Sequence, residues 1–232
     1  MQTYSHILIA VGLSQPLSYW LASKKINIPK VKTSALTFGS LLPDLALIII
    51  VIGCLIRDSS VGIFNSSAWQ NHDYKLPASP ELLNASWTAS LFDDWFFNNP
   101  IVIILQNTFH SPFLLILFIF ACYLLWNKKE EKDINKERNK THNKATYQWL
   151  FWVFCAAMLH TLIDIPLHVG DGPLIAFPLN WDYRFNSIIS YWDPNHHGLI
   201  WTRFEHALDI VIFIYLLRFY LQLYSNHQIK NK

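Results

Sequence analysis

Five apolar runs constrain the fold of this sequence more than any other feature. Each is close to the ~20 residues that a helix needs to cross a bilayer. The runs cover residues 5–22, 35–56, 101–126, 147–168 and 204–224. Hydrophobic residues make up 52% of the chain and charged residues 15%, against about 25% in a typical soluble domain. The sequence therefore predicts an all-α integral membrane protein, a helical bundle of about five transmembrane spans within one domain, residues 1–232.

The basic residues between the runs predict the orientation of this bundle. Residues 23–34 carry four Lys and no acid, and the charged loop at residues 127–146 carries seven Lys and Arg. The two long polar segments, residues 57–100 and 169–203, carry only two each. Because basic loops stay in the cytoplasm, we expect both long segments and the N-terminus on the non-cytoplasmic side of a bacterial-type inner (plasma) membrane. No basic residue precedes the first run, so it predicts a retained span and not a cleaved signal peptide.

Several classes of function find no support in the sequence. The net charge of +2 is small and the charged loop mixes both signs, which argues against a nucleic-acid partner. The three Cys residues each lie in an apolar run and form no C-x-x-C pair, so we expect buried thiols and not a disulfide or a Cys-based zinc site. The motifs G-x-S-x-G, Walker A and H-E-x-x-H are absent, so serine nucleophiles and nucleotide hydrolysis lack support.

The fourth run carries three ionisable side chains on one helical stripe. His160, Asp164 and His168 are four residues apart, and each step of four on an α-helix rotates the side chain by only about 40°. Imidazoles and carboxylates are good ligands for Zn²⁺ or another divalent metal ion, and they are costly in an apolar helix without partners. The alternatives are hydrogen bonds between helices and, for His168, a place in a loop, since Pro166 and Gly170 end the helix.

The other predicted spans offer partners for this stripe, mostly in the outer half of the bilayer. Ionisable groups at this depth are expected to face one polar cavity, here open to the non-cytoplasmic side. We therefore predict a metal site with the ligands His6, Asp44, His110, His160, Asp164 and His168. Glu205 and Asp209 are predicted as a catalytic base or as additional ligands. Alternatively, these two acids pair with Arg203 or cap the fifth helix.

Four sequence blocks resemble the membrane-bound, predicted metal-dependent hydrolases of the YdjM type. The blocks, in chain order, are SHILIA, GSLLPD, FHSPFLL and LHTLIDIPLHVGDGPLIAFPL. The resemblance implies a metal site at His6, Asp44, His110, His160 and Asp164. Two positions depart from the family pattern, because Ala46 stands where a second Asp is usual and Leu105 where another His is usual. Either the site has lost ligands, or His168, Glu205 and Asp209 replace them. The order of these residues is also similar to that of zinc-dependent phospholipase C.

The leading hypothesis from the sequence is a membrane-bound, metal-dependent hydrolase. One or more Zn²⁺ ions would activate water and polarise a phosphoryl or carbonyl oxygen. A site at headgroup depth suggests that the substrate is a membrane lipid or a lipid-linked phosphoester. The alternative is a non-enzymatic membrane protein that binds or conducts a cation or proton through the same His and carboxylate groups. A third hypothesis is a scaffold in which the cluster only ties helices together.

Overall fold

The computed structural model of the protein describes residues 1–24, 27–72, 77–128 and 137–230. The chain divides into two compact units. The first unit comprises Met1–Leu42 with His110–Lys232, and the second comprises Pro43–Phe109. Lys25, Lys75, Lys232 and residues 129–136 of the predicted charged loop lie outside the described residues.

Helices dominate the structure, as the sequence predicts. In chain order they are α1 (Thr3–Lys24), α2 (Thr33–Ser60), α3 (Ser67–Gln70), α4 (Pro80–Ala85), α5 (Trp87–Ser90), α6 (Phe96–Asn98), α7 (Pro100–Asn107), α8 (Pro112–Asn127), α9 (Glu137–Asp164) and α10 (Gly198–Lys230). Short 3-10 or π turns cover Ile63–Asn65, Leu91–Trp95, Ile165–Leu167 and Pro194–His196. The prediction of an all-α fold omitted two short strands, β1 (Val169–Leu174) and β2 (Arg184–Asn186), which pair antiparallel.

Two helices of the described part of the chain are long and apolar enough to cross a membrane, namely α2 and the segment Asn143–Leu167. A third crossing exists if α7 and α8, which are separated by residues 108–111, together form one interrupted span. Helices α1 and α10 are not among these candidates. In α10 the apolar sequence is interrupted by Glu205, Asp209 and Arg218. The structure thus supports two or three of the five predicted spans, and crossing by α1 and α10 stays a prediction.

The core of the first unit is built from small and apolar residues of α1, α2, α8 and α9. Ala10, Ala35, Cys122 and Ala156 are all buried in it. Small side chains let helix backbones approach closely, which is a main source of helix association in membranes. Gly39 gives the closest approach, because a Cβ at this position would lie 2.1 Å from the carbonyl oxygen of Val153. This contact brings α2 directly onto α9.

A hairpin follows α9 and contacts the start of α8. The α-helix ends at Asp164, and a 3-10 turn with Pro166 follows, since Pro cannot donate the backbone hydrogen bond that would extend the helix. The backbone N–H of Phe113 donates to the carbonyl oxygen of Ile175 at 3.3 Å. The hydroxyl of Ser111 donates to the carbonyl oxygen of Phe177 at 2.9 Å. The segment between the two strands therefore fixes the first turn of α8.

The second unit is organised around the buried carboxylate of Asp58. This side chain accepts hydrogen bonds from the hydroxyl of Ser86 at 2.7 Å and from the backbone N–H groups of Trp87 and Thr88 at 3.0 and 2.9 Å. The guanidinium of Arg57 donates to it at 2.9 Å and also stacks over the ring of Trp87. The negative charge of Asp58 therefore stabilises the N-terminus of α5.

Candidate metal centre

The carboxylate of Asp164 is the centre of a buried group of imidazoles in the first unit. His6, His110, His160 and Asp164 are 1–7% exposed. Ligand atoms of His110, His160 and Asp164 all lie within 4.8 Å of one another. The predicted i, i+4 relation holds, because the Nε2 atom of His160 lies 3.1 Å from the Oδ2 atom of Asp164. The helical stripe predicted from the sequence therefore brings His160 and Asp164 together.

The tautomer of His160 follows from its partner on α2. Its Nδ1 atom lies 2.7 Å from the carbonyl oxygen of Ser40. A carbonyl oxygen only accepts hydrogen bonds, so Nδ1 carries the proton and donates it to Ser40. In the neutral ring the Nε2 atom then bears a lone pair, and this lone pair faces the carboxylate of Asp164. These two acceptor atoms are 3.1 Å apart and repel each other unless a proton or a metal ion lies between them. A hydrogen bond from the other ring nitrogen to a backbone carbonyl, as His160 makes to Ser40, is typical of imidazoles that bind a metal ion.

The two oxygens of Asp164 have different surroundings. Oδ2 lies 3.1 Å from Nε2 of His160 and 3.6 Å from Nε2 of His110. Oδ1 lies 2.9 Å from Nε2 of His6 and 3.0 Å from the ammonium of Met1. Atoms that share a tetrahedral zinc ion at ~2.0–2.1 Å lie about 3.3 Å from each other. The distances around Oδ2 bracket this value, so the imidazoles of His110 and His160 and this oxygen suit a divalent ion.

His110 reaches the group because the chain breaks between α7 and α8. Residues 108–111 separate the two helices, and Pro112 begins α8 at the position where a missing backbone N–H costs nothing. Ser111 is tied to the segment between the strands, as described above, so the residue before it is held at the start of α8. The ring of His110 meets the ring of His160 edge-on, with centroids 5.0 Å apart.

His6 stacks against the face of the His160 ring. The two imidazoles stack with centroids 3.7 Å apart and planes inclined by 16°. The Nε2 atom of His6 contacts Oδ1 of Asp164, and its buried Nδ1 atom has no hydrogen-bond partner within the described ranges. His6 therefore packs against His160 and contacts Oδ1 of the carboxylate, whereas His110 lies nearer to Oδ2.

Glu205 contacts the residue just before α1 and Asp209 contacts the first turn of α1, the helix that carries His6. The Oε1 atom of Glu205 accepts a hydrogen bond from the backbone N–H of Gln2 at 2.7 Å. The Oδ2 atom of Asp209 accepts one from the hydroxyl of Ser5 at 2.8 Å. The second oxygen of each acid is buried and has no hydrogen-bond partner among the residues that the structure describes. The role of the two acids as base or additional ligands stays a prediction, and the sequence did not predict this anchoring contact.

His168, another predicted ligand, makes different contacts, whereas Asp44 belongs to the second unit and its assignment as a ligand stays a prediction. The Nδ1 atom of His168 donates to the backbone carbonyl of Asp164 at 2.9 Å, and its ring packs on Tyr191 with centroids 5.1 Å apart. His168 follows the 3-10 turn, so it no longer continues the helical stripe. Asp44 lies on α2 in the second unit, four residues after Ser40.

Sequence reasoning missed the residues that orient the imidazoles. The carbonyl of Ser40 accepts a hydrogen bond from His160, whereas the hydroxyls of Ser5 and Ser111 hold the backbone next to His6 and His110 through Asp209 and Phe177. A signal was present for two of them, because Ser5 precedes His6 and Ser111 follows His110. The backbone contact at Ser40 has no sequence signal, since any residue offers a carbonyl oxygen.

A family model described as "YdjM inner membrane protein" matches residues 1–229. The chain therefore belongs to this family, and the resemblance stated from the sequence blocks is confirmed. The match and the apolar helices together identify a membrane protein. Comparison with curated proteins and with solved structures gives no match.

Proposed function

We propose that this member of the YdjM family is a metal-dependent hydrolase of the inner membrane. The observation that carries the proposal is the pair of distances around Oδ2 of Asp164, 3.1 Å to His160 and 3.6 Å to His110. The hydrogen bond from His160 to Ser40 adds the correct tautomer for a ligand. Two neutral imidazoles and one carboxylate form a donor set that Zn²⁺ favours, with a position left for water or substrate.

The residues around the proposed ion have separate roles. His110, His160 and Asp164 are the proposed ligands, and His6 keeps the carboxylate in place through Oδ1. The assignments of His6, Asp44 and His168 as further ligands stay predictions, and the metal content of their Ala variants tests them. A divalent cation supplies Lewis acidity that polarises a phosphoryl or carbonyl oxygen and acidifies water.

Glu205 and Asp209 are the proposed proton acceptors. Each acid has one buried oxygen that makes no hydrogen bond within the described part of the chain. Each is also held against α1 through its other oxygen, so the orientation of the carboxylate is fixed. General-base catalysis needs a positioned group of this type, and it typically contributes about 10²–10⁴-fold to a rate.

The proposed substrate is a lipid or lipid-linked phosphoester at the non-cytoplasmic face. The family is one of inner membrane proteins, which supports a substrate in the bilayer. The distribution of Lys and Arg supports the non-cytoplasmic side, because the basic loops at residues 23–34 and 127–146 are expected in the cytoplasm.

Metal analysis of the purified protein tests the proposal. We expect stoichiometric zinc or another divalent metal, and its loss in the double variant His160→Ala, Asp164→Ala. His206→Ala is the matched control, because His206 is an exposed residue on α10 whose Nδ1 atom lies 3.4 Å from the hydroxyl of Tyr4. Absence of metal from the unmodified protein would refute the proposal. Metal binding without chelator-sensitive hydrolysis across a panel of phospholipids and soluble phosphoesters would favour the cation-binding alternative.

A further inference from the structure

The segment after α9 exposes an unusual number of large apolar side chains. Between residues 179 and 192, six such side chains are 41–78% exposed. They are Leu179, Trp181, Tyr183, Phe185, Ile188 and Trp192. Acidic or basic residues in the same stretch are few, namely Asp182 and Arg184. In water such a surface would be unfavourable, and surfaces of this kind mark sites of contact with a partner or a membrane.

The position of the segment in the chain identifies the membrane as the partner. The candidate span ends at Leu167, and β1 begins two residues later at Val169. The hairpin must therefore lie close to the level at which the chain leaves the bilayer. A two-stranded sheet has unpaired backbone groups along its edges, so it is excluded from the hydrocarbon core. The level that suits both the open edges and the apolar side chains is the boundary between headgroups and acyl chains.

The residue types in this segment are also those expected at the boundary between headgroups and acyl chains. Trp and Tyr concentrate at membrane interfaces, where the ring contacts apolar groups and the N–H or O–H contacts polar groups. Trp192 shows this division, because the residue is 60% exposed while its indole N–H donates to the carboxylate of Asp171 at 2.9 Å. Asn180 and Asp182, which separate the exposed apolar residues near the turn, are polar and exposed, as expected beside headgroups.

We propose that residues 179–192 form an interfacial anchor that inserts into the headgroup–acyl boundary of the bilayer and presents lipid headgroups to the metal centre. The presentation of headgroups to the metal centre rests on the proposed function, whereas the insertion into the bilayer does not. The link to the metal centre is short. The carbonyl oxygens of Ile175 and Phe177, just before the anchor, hold Ser111 and Phe113, which follow His110. The anchor therefore sets the depth of His110, and the substrate class is a phospholipid whose headgroup lies at that depth.

A depth measurement tests the insertion. An environment-sensitive nitrobenzoxadiazole label is attached at Ile188→Cys, in a background with the three native Cys changed to Ala. The protein is reconstituted in vesicles of phosphatidylethanolamine and phosphatidylglycerol that carry spin-labelled lipids of graded depth. We expect blue-shifted emission and quenching that is strongest for the label just below the headgroups. Asn195→Cys is the matched control, because Asn195 is polar and exposed in the same outer segment. Equal, water-like emission at both positions would refute the anchor.

A second measurement tests the link to lipid hydrolysis. Leu179 and Ile188 are 74% and 78% exposed, so changing both to Ser should leave the fold intact. We expect hydrolysis of phosphatidylglycerol in vesicles to fall about tenfold, because the two side chains lose their burial in lipid. Hydrolysis of a water-soluble chromogenic phosphodiester and the metal content should not change. If the unmodified protein hydrolyses neither substrate, the proposed function fails while the depth measurement still stands. If both activities fall equally, the presenting role is wrong.

Discussion

His160 donates from Nδ1 to the carbonyl oxygen of Ser40 at 2.7 Å, and this one hydrogen bond decides which nitrogen faces Asp164. The bond joins α9 to α2, so the orientation of the imidazole depends on how closely these two helices pack. The proposed metal centre is therefore coupled to the close approach of Gly39 to Val153, neither of which is a proposed ligand.

Gly39→Ala tests this coupling. A Cβ at position 39 would lie 2.1 Å from the carbonyl oxygen of Val153, and backbone atoms cannot move aside as a flexible side chain would. Separation of the two helices would move the neighbouring Ser40 carbonyl away from His160. We expect destabilisation by about 1–3 kcal/mol. We also expect a loss of zinc affinity of about 10–100-fold, as for other groups that orient a ligand. Titration of zinc into metal-free protein, with thermal unfolding in the same detergent, measures both effects.

The control for this variant lies on the same helix. A Cβ at Gly53 would meet no atom within 4 Å, so Gly53→Ala adds a methyl group to open space. We expect no loss of zinc affinity, and a stability that is unchanged or higher by up to about 1 kcal/mol. If Gly39→Ala binds zinc as tightly as Gly53→Ala does, the coupling between the helix contact and His160 is absent.

His6→Ala tests whether His6 binds the proposed metal ion itself or only positions the proposed ligand Asp164. The Nε2 atom of His6 contacts Oδ1 of Asp164, whereas His160 approaches Oδ2. We expect His6→Ala to weaken zinc binding about 10–100-fold and His160→Ala to abolish stoichiometric binding. Equilibrium dialysis against buffered zinc gives both affinities. Complete loss of zinc in His6→Ala would instead place His6 among the ligands, as the sequence pattern alone predicted.

Helical periodicity accounts for the part of the site that the sequence predicted best. The spacing of four residues brings His160 and Asp164 together because both lie within a continuous α9. The same spacing predicted His168 on the stripe, but the 3-10 turn that begins at Ile165 ends the periodicity before it. The effect of Pro166 was foreseen as an alternative, and the structure shows where the helix ends.

Tertiary contacts account for what the sequence did not predict. Oδ1 of Asp164 contacts His6, whereas Oδ2 lies near His160 and His110. Which oxygen faces which residue depends on how the helices pack, and no local sequence pattern predicts this. The contact of Glu205 with Gln2 joins residues more than two hundred positions apart through a backbone N–H, which every residue except Pro has. The hairpin was missed because β1 contains Gly170, Gly172 and Pro173, residues that are usually poor strand formers.

Glu205→Gln tests the role of this acid in proton transfer. Gln keeps an oxygen that accepts the hydrogen bond from Gln2, so the first turn of α1 stays anchored. It cannot take up a proton, so we expect hydrolysis to fall by about 10²–10⁴-fold. Zinc content should not change. Unchanged hydrolysis in Glu205→Gln, together with a loss of zinc in Glu205→Ala, would restrict the residue to holding α1.

Asp58→Asn tests what stabilises the second unit. The carboxylate of Asp58 is fully buried and accepts hydrogen bonds from Ser86, Trp87 and Thr88 and from Arg57. An Asn side chain has one acceptor oxygen, and its NH₂ group would face N–H donors. We expect a loss of about 2–4 kcal/mol in the free energy of unfolding, because a buried charge and several of its hydrogen bonds are lost together.

Limited proteolysis within residues 43–109, followed by mass spectrometry of the fragments, measures this loss where it occurs. The control is Asp94→Asn, because Asp94 is exposed and accepts a hydrogen bond from the side chain of Asn98 at 2.8 Å. We expect the control to change stability by no more than about 0.5 kcal/mol. Equal cleavage rates in the two variants would show that Asp58 does not hold α5 in place. Faster cleavage in Asp58→Asn alone would show that the buried carboxylate, and not the general acidity of this segment, keeps the unit folded.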